Sequence, residues 1–187
     1  TGTRLYLAPE LSLPLRSSGM YLVPSASLRY TAQQLQHTEG DKSPSVSAPV
    51  WSLDTGMAFE RFGGAQKQRT YTLEPRVLYL YVPYRASQGN LQVFDTGLPD
   101  LNFVQLFRTD RFVGPDRIGD ANQLSAGITT RMLDSNTGKQ FLSGTFGQAF
   151  YFKTPCVNAV DKLDCDASGN RLPTASSSNS HSSDLIG

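Results

Sequence analysis

The cysteines Cys156 and Cys165 are the residues of this chain best suited to forming a covalent cross-link. They lie close together in a polar stretch rich in Gly, Ser and Asp. In an oxidising compartment this spacing could close a small loop through a disulfide. Two unpaired surface thiols, or half of a metal site, would show the same spacing, but few further nitrogen or sulfur ligands lie nearby. We therefore expect a disulfide if the protein is exported, and no metal.

The histidines do not indicate a catalytic site. His37 and His181 fall in predicted loops, far from any arrangement of Ser and Asp. A catalytic triad requires its groups to converge, and no pattern in the sequence suggests that they do. We interpret both histidines as solvated loop residues, and we expect neither enzymatic activity nor a cofactor.

Charged side chains recur at alternate positions of several segments, where they would share one face of a β-strand. If the strands enclose a barrel, this face would line its lumen. The candidates for that lumen-facing set are Arg29, Asp54, Glu60, Glu74, Arg76 and Arg131. Mixed charge inside a wide barrel could bind a plug or steer the phosphates of an amphiphile. The simpler alternative, which we favour for any single residue, is a charge solvated in the lumen or paired across strands.

The segment Gln68–Tyr84 shows which element carries such charges. With a period of two, one face presents Tyr71, Leu73, Pro75, Val77, Tyr79 and Tyr81, and the other presents Thr70, Thr72, Glu74 and Arg76 before turning apolar. This alternation indicates a β-strand with a different environment on each side. The run is about twice the usual strand length of ~5–6 residues, whereas a tilted strand needs ~9–11 residues to cross a bilayer. We therefore predict a membrane-spanning strand.

The rest of the chain repeats this pattern. Strands are predicted at 3–15, 20–34, 50–62, 68–84, 122–133 and 140–152, short turns at 17–19, 63–67 and 134–139, and long loops at 37–47, 85–120 and 153–183. Short periplasmic turns alternating with long outward loops are typical of up-and-down outer-membrane barrels. The predicted fold class is all-β: an antiparallel up-and-down transmembrane β-barrel segment, about six long strands of a larger barrel. Residues 1–187 would then be a partial outer-membrane β-barrel domain.

The connection 85–120 is too rich in apolar residues to be a disordered linker. It carries Phe94, Leu98, Leu101, Phe103, Leu106, Phe107 and Phe112. Long loops of this kind are usually functional. We expect an ordered loop folded over or into a larger body, with a helical turn or two between Asp100 and Phe107. Residues 184–187 are expected to begin another strand.

The composition agrees with this class and argues against others. The chain has 187 residues, of which 39% are hydrophobic, and a mean hydropathy of −0.32. It contains no run of ~18 apolar residues that would predict a transmembrane helix, whereas lumen-facing residues dilute the apolar signal of barrel strands. A formal net charge of +1 without a Lys/Arg run gives no reason to expect nucleic acid. Since the chain opens at Thr1 without a leader, we interpret it as part of a longer protein.

Three stretches resemble one known family. They are TLEPRVLYLYVPYR (72–85), LFRTDRFVGPDRIGDANQLSAGITTRM (106–132) and GQAFYF (147–152). Their order and spacing resemble those of the lipopolysaccharide-assembly outer-membrane protein family, LptD, in the middle of its C-terminal β-barrel. The hairpin at 3–30 and the FER element at 59–61 fit more loosely.

The resemblance implies a part of the translocon that inserts lipopolysaccharide into the outer leaflet of the Gram-negative cell outer membrane. The implied partners are lipopolysaccharide, a lipoprotein plug (LptE) in the barrel lumen, a periplasmic lipopolysaccharide-transport bridge and outer-membrane lipid. The cluster that contains Asp116, Arg117 and Asp120 resembles a family motif, and we expect it to anchor the long loop to the barrel interior through charge-assisted hydrogen bonds. The family's lateral gate and adjacent cysteine pair do not map onto this stretch.

Other functional classes remain as alternatives. The main one is a porin-like or nutrient-uptake outer-membrane barrel that passes small solutes. A soluble, carbohydrate-binding β-sandwich would need shorter strands of ~5–6 residues with turns every ~8–12 residues, which the sequence lacks. An outer-membrane hydrolase is the most distant alternative.

Overall fold

The computed structural model describes residues 2–36, 42–63, 69–159, 163–173 and 181–186. Within these residues the chain forms one antiparallel sheet of nine strands. The strands are β1 (Gly2–Leu7), β2 (Glu10–Ser12), β3 (Leu15–Ser17), β4 (Met20–Leu35), β5 (Ser45–Met57), β6 (Phe59–Gly63), β7 (Arg69–Val82), β8 (Ala121–Asp134) and β9 (Gln140–Tyr151). His37, residues 64–67 of the predicted turn at 63–67 and parts of the loops predicted at 37–47 and 153–183 lie outside the described residues.

The strands follow one another across the sheet in sequence order. The order is β1–β4–β5–β7–β8–β9, while β2 and β3 also pair with β4, and β6 pairs with β7. Strands β1 to β3 are therefore successive parts of one ribbon, and β5 and β6 are parts of another. This antiparallel up-and-down arrangement confirms the predicted fold class, and over the described residues the sheet is open rather than closed into a barrel.

The first ribbon consists of three short strands where the sequence predicts one strand over 3–15. β1 ends two residues before Pro9, and β2 ends two residues before Pro14. A proline has no N–H to donate to a neighbouring strand, so the ladder is interrupted there. The ribbon stays beside β4 across these interruptions, because Leu28 N–H donates to the Pro9 carbonyl (3.1 Å) and Leu13 N–H donates to the Pro24 carbonyl (3.0 Å).

A further interruption, at Ala58, separates β5 from β6. β5 pairs with β7 as far as Gly56, and pairing with β7 resumes in β6 at Phe59. The Ala58 N–H donates to the Gly19 carbonyl instead (2.7 Å). Pro75 of β7 lies opposite this break, where the ladder already lacks a pair. A central strand thereby accommodates a proline, which an uninterrupted central strand excludes.

The core of the described part lies between one face of the sheet and the connection 83–120. One cluster joins Leu91 and Ile118 of the connection to Val46, Ala48, Val50, Leu80 and Val82 of the sheet. A second joins Leu106 and Phe107 to Leu78 and Ala149. The prediction of an ordered loop folded onto the body is confirmed.

The loop contains two short 3₁₀ helices within otherwise irregular backbone. They cover Ala86–Asn90 and Gln105–Phe107, the second within the stretch predicted to form a helical turn. Of the helices in the described ranges, none has the length and apolar character needed to cross a membrane. Residues 182–186 run beside β9 through bridges at Ser182 and Ile186, at the place where a further strand is expected.

Candidate functional site: the polar face and its covering loop

The alternation along each strand gives the sheet two faces with different surroundings. The apolar face presents Leu22, Trp51, Leu53, Tyr79, Tyr81, Ile128, Phe146 and Phe150, all of which are exposed. The polar face presents Arg29, Thr31, Gln33, Asp54, Glu74, Arg76, Thr129 and Arg131. Trp51 and Phe146 expose 54% and 55% of their surfaces. A continuous apolar surface of this kind marks contact with another apolar phase or partner.

A row of glycines on the polar face forms the seat of the long loop. The cross-strand register places Gly56 beside Arg76, Arg76 beside Gly127, and Gly127 beside Gly147. Loop side chains lie directly on Gly127 and Gly147. A Cβ at Gly127, for example, would be 2.8 Å from the Phe103 ring. Without side chains at these positions, the aromatic residues of the loop can contact the sheet backbone.

Arg76, which lies within this row, links the loop to the sheet. Its Nε and Nη2 donate to the two carboxylate oxygens of Asp54, at 3.0 and 2.7 Å. Its guanidinium also lies 4.5 Å from the centre of the Phe107 ring, within the range of a cation–π contact. A bidentate ion pair and a loop aromatic therefore share one arginine.

The other charged residues predicted on this face differ in their contacts. Arg131 forms an ion pair with Glu74 on the neighbouring strand. Arg29 reaches the loop instead, donating to Asp110 (2.6 Å) and to the Thr109 hydroxyl (3.0 Å). Burial raises the pKa of the Asp110 carboxyl, although the positive charge of Arg29 opposes that rise.

Glu60 does not belong to this network. It is exposed on β6, opposite Thr72 of β7. The strands therefore bring together most of the predicted charged set but leave this residue apart.

Asp116 connects two segments of the loop to β1. Its carboxylate accepts hydrogen bonds from the backbone N–H groups of Phe94 (2.8 Å) and Asp95 (2.9 Å) and forms an ion pair with Arg4. Burial on its own would raise the pKa of Asp116. The backbone donors of Asp95 and Phe94, together with Arg4, outweigh burial and hold that pKa below its usual value.

Arg117 and Gln88 join the two ends of the loop within the core. The Arg117 guanidinium donates to the Gln88 carbonyl. The Gln88 side chain then pairs with Ile118 as a strand backbone would, donating to its carbonyl (2.8 Å) and accepting from its N–H (2.8 Å). All three residues are fully buried.

Asp120 connects the end of the loop to the segment that follows β9. Its carboxylate accepts from the backbone N–H groups of Cys156 (2.8 Å) and Val157 (2.8 Å). Cys156 is joined to Cys165 by a disulfide, with 5.3 Å between their Cα atoms, as expected from the sequence. The carboxylate and the cross-link thus belong to one structural unit.

Sequence reasoning did not find several residues of this site. They are Gln33, Gln88, Asp95 and the glycine pair Gly127 and Gly147. The Gln33 side chain pairs with the backbone of Gln92 through bonds of 2.7 and 2.9 Å, as Gln88 does with Ile118. The available signal was weak: Gln33 occupies a polar position in the period-two pattern of β4, and the glycines share its polar side in β8 and β9.

The site is suited to holding a loop and lining a polar surface. A cleft of about 620 Å³ remains open beside the loop, lined in part by Arg16, Tyr21, Glu74, Arg76 and Arg131. Among the described residues, no group of three or more His, Cys, Asp or Glu side chains could hold a metal ion.

Long antiparallel strands in sequence order, with exposed apolar residues on one face and charged residues beside a docked loop on the other, are the pattern of the wall of an up-and-down membrane β-barrel. A sequence model of the family described as "LptD: LPS transport system D" matches residues 1–187. The chain therefore belongs to the LptD family.

Curated relatives support this assignment, and each is named LPS-assembly protein LptD. The chain is 44% identical over 178 residues to the Xanthomonas campestris pv. campestris (strain 8004) protein, covering 89% of this chain and 22% of the relative. It is 41% identical over 171 residues to the Azoarcus sp. (strain BH72) protein (87% and 20%). It is 38% identical over 173 residues to the Methylococcus capsulatus (Bath) protein (90% and 16%). The chain spans about a fifth of the length of these relatives.

Proposed function

We propose that this chain forms part of the barrel wall of a translocon that inserts lipopolysaccharide into the outer leaflet of the Gram-negative outer membrane. Its task would be transport, in which no bond is made or broken. The apolar face would contact hydrocarbon, and the polar face would line a hydrated lumen narrowed by the loop 83–120. Membership of the LptD family supports this proposal.

The observation that carries the proposal is the contrast between the two faces of the sheet. Ile128 and Phe146 are neighbours on β8 and β9, and both are exposed on the apolar face. Thr129 and Thr145, the next pair along, point to the opposite face, where Thr129 is buried. Alternate exposure of large apolar residues, sustained over strands of 12 to 16 residues, is the pattern of a lipid-facing barrel wall.

The polar face supplies the surface that a lumen would need. We infer that Arg29, Asp54, Glu74, Arg76 and Arg131 face the lumen, with Glu60 at its rim. The ion pairs Arg76–Asp54 and Arg131–Glu74 beside the open cleft would give a hydrated, nearly neutral surface. Lipopolysaccharide, a lipoprotein plug (LptE) within the lumen and a periplasmic transport bridge are the partners that we propose for the whole protein.

We further propose that the segment 116–120 anchors the long loop to the barrel. Asp116 bonds to the loop backbone and Arg4, Arg117 to Gln88, and Asp120 to the segment after β9. These contacts are charge-assisted and at least one partner in each is buried, a setting in which such hydrogen bonds contribute most.

A porin-like barrel is the alternative. In that case the full-length protein should conduct ions in planar bilayers without its plug partner, and no lipopolysaccharide would need to be present. The loop seated on the polar face favours a narrowed lumen. Low conductance that rises when the loop 86–119 is deleted would support the translocon, whereas high conductance of the intact protein would support the porin.

An arginine scan across one strand pair tests the orientation of the wall. Ile128→Arg in the full-length protein should cost ~2–4 kcal/mol if the side chain meets lipid near the midplane. Thr145→Arg, one position along on the neighbouring strand and on the opposite face, should cost much less. The measurements are barrel assembly in the outer membrane, lipopolysaccharide arrival at the cell surface and urea unfolding in lipid. Equal effects of both changes would contradict the proposed orientation.

A further inference from the structure

The contact between Asp120 and the disulfide loop joins a buried carboxylate to backbone N–H groups. Asp120 is 5% exposed, and its carboxylate is held mainly by the amide groups of Cys156 and Val157. Its nearest cation, Arg111, is 3.9 Å away. A buried carboxylate depends on such donors, because an ionised group without partners in a low-dielectric site is strongly destabilised.

The disulfide fixes the position of those amide donors. Cys156 supplies one of them, and the same residue is cross-linked to Cys165. The turn that this bond closes is further held by Asp164 N–H, which donates to the Cys156 carbonyl (2.9 Å). On the other side, the Tyr84 hydroxyl donates to the Cys165 carbonyl (3.1 Å). The cross-link and these two hydrogen bonds therefore constrain the segment that supplies both N–H groups to Asp120.

The segment that Asp120 ends also carries the loop's deepest contacts. Ile118, two residues earlier, belongs to the core cluster with Leu91. Asp116, four residues earlier, binds the backbone at Phe94. Loss of the donors at Asp120 would draw its carboxylate toward water, and the short connection would pull these neighbours with it.

We propose that the Cys156–Cys165 disulfide is a redox-sensitive clasp that keeps the loop 83–120 docked on the polar face. When it opens, the amide donors lose their fixed positions and the loop is held less tightly on the sheet. Reduction by a dithiol transfers two electrons and two protons to the sulfur atoms, giving two cysteine thiols and the cyclic disulfide of the reductant. If the polar face lines a lumen, a loosened loop would widen that lumen, and this consequence rests on the proposed function. The docking of the loop on the sheet does not.

Hydrogen exchange of the full-length protein in detergent micelles tests the clasp. Amides of 86–119 and of Cys156 and Val157 should exchange roughly tenfold faster after reduction with dithiothreitol, the factor expected for one lost charge-assisted hydrogen bond. Both sulfurs are buried, so the variant Cys156→Ser/Cys165→Ser provides a second route to the open state. Amides in the middle of β7 and β8 should be unchanged.

The variant Asp120→Asn tests whether the disulfide affects the loop through the Asp120 carboxylate or independently of it. If the clasp acts through this carboxylate, the oxidised variant should already exchange fast, and reduction should add little. Asp166→Asn is the matched control, since that carboxylate accepts from the backbone of Ser168 and Asn170 (2.9 Å each) within its own turn. It should leave exchange in 86–119 unchanged.

The outcomes distinguish this inference from the proposed function. Unchanged exchange in 86–119 on reduction, or additive effects of reduction and Asp120→Asn, would overturn the clasp. Failure of the full-length protein to deliver lipopolysaccharide would contradict the transport role and leave the exchange result intact.

Discussion

Gly127 and Gly147 lie opposite each other on β8 and β9, and the long loop covers them both. A Cβ at Gly147 would lie 2.6 Å from Leu106 Cδ2, a separation at which one of the two atoms must move. The pair therefore forms a bare patch of backbone that fits the loop side chains. This fit explains how a loop of mostly irregular structure can be held at a defined depth on the sheet.

Gly147→Ala should displace the loop. Overpacking of this kind typically costs about 1–3 kcal/mol, and we expect a decrease of that size in the free energy of unfolding, measured with urea in lipid. Limited trypsin cleavage at Arg108 should become faster. Gly144→Ala on the same strand is the control, because its Cβ would have neighbours no closer than 3.6 Å. Equal behaviour of the two variants would show that the glycine seat is not required for docking.

Arg76→Lys should weaken the contact between sheet and loop. An ammonium group cannot replace the bidentate bond to Asp54 or the planar contact with the Phe107 ring. The expected cost is about 1 kcal/mol of unfolding free energy, because the pair is partly exposed. Arg131→Lys, at a similarly exposed ion pair without a ring contact, should cost less. A double-mutant cycle with Phe107→Leu should show coupling at Arg76 and none at Arg131.

Gln88→Leu should destabilise the loop more than its small change in volume suggests. It leaves the N–H and carbonyl of Ile118 without the side-chain partners that they have now, in a buried site. Each unsatisfied buried group costs ~1–3 kcal/mol, so a total loss of about 2 kcal/mol or more is expected in urea unfolding. Gln92→Leu provides the comparison, because Gln92 is exposed. If Gln88→Leu lowered the free energy of unfolding by less than Gln92→Leu does, the pairing of Gln88 with the backbone of Ile118 would be contradicted.

Asp116 and Asp110 should give pH dependences of opposite sign. The pKa of Asp116 is lowered in the folded protein, so the unfolded chain takes up the proton first as the pH falls below ~4. The stability that wild type has over Asp116→Asn should therefore shrink on acidification.

The pKa of Asp110 is raised in the folded protein, so between ~4 and that raised value the folded state binds more protons. The stability of wild type relative to Asp110→Asn should fall as the pH rises through this window. Urea unfolding of the full-length variants between about pH 3 and 7 would measure both trends. Parallel pH profiles for the two variants would contradict the environments described for these carboxylates.

The strands and their faces could be predicted because period-two alternation is a local signal. Leu53 and Asp54, adjacent in sequence, were assigned to opposite faces correctly, and the sheet register agrees. The break at Ala58 was not predictable, because it depends on a bond to the Gly19 carbonyl on a neighbouring turn. A break of this kind depends on tertiary contacts that a single strand does not encode.

The loop contacts were harder to predict for the same reason. Asp116 and Asp120 were expected to bind within the barrel, but their partners at Phe94 and Cys156 lie 22 and 36 residues away. Gln88 gave no signal at all, since an isolated glutamine in a loop has no periodicity. Only the folded chain brings its amide group to the backbone of Ile118.

The glycine seat also constrains the order in which this chain folds. Gly127 and Gly147 meet only after β8 and β9 have paired in register, so the docking surface is absent from the nascent hairpin. Until then Phe103 and Phe107 remain exposed to water, as apolar surfaces do in folding intermediates. Docking of the loop therefore follows the pairing of β8 and β9, and it joins residues that are distant in the sequence.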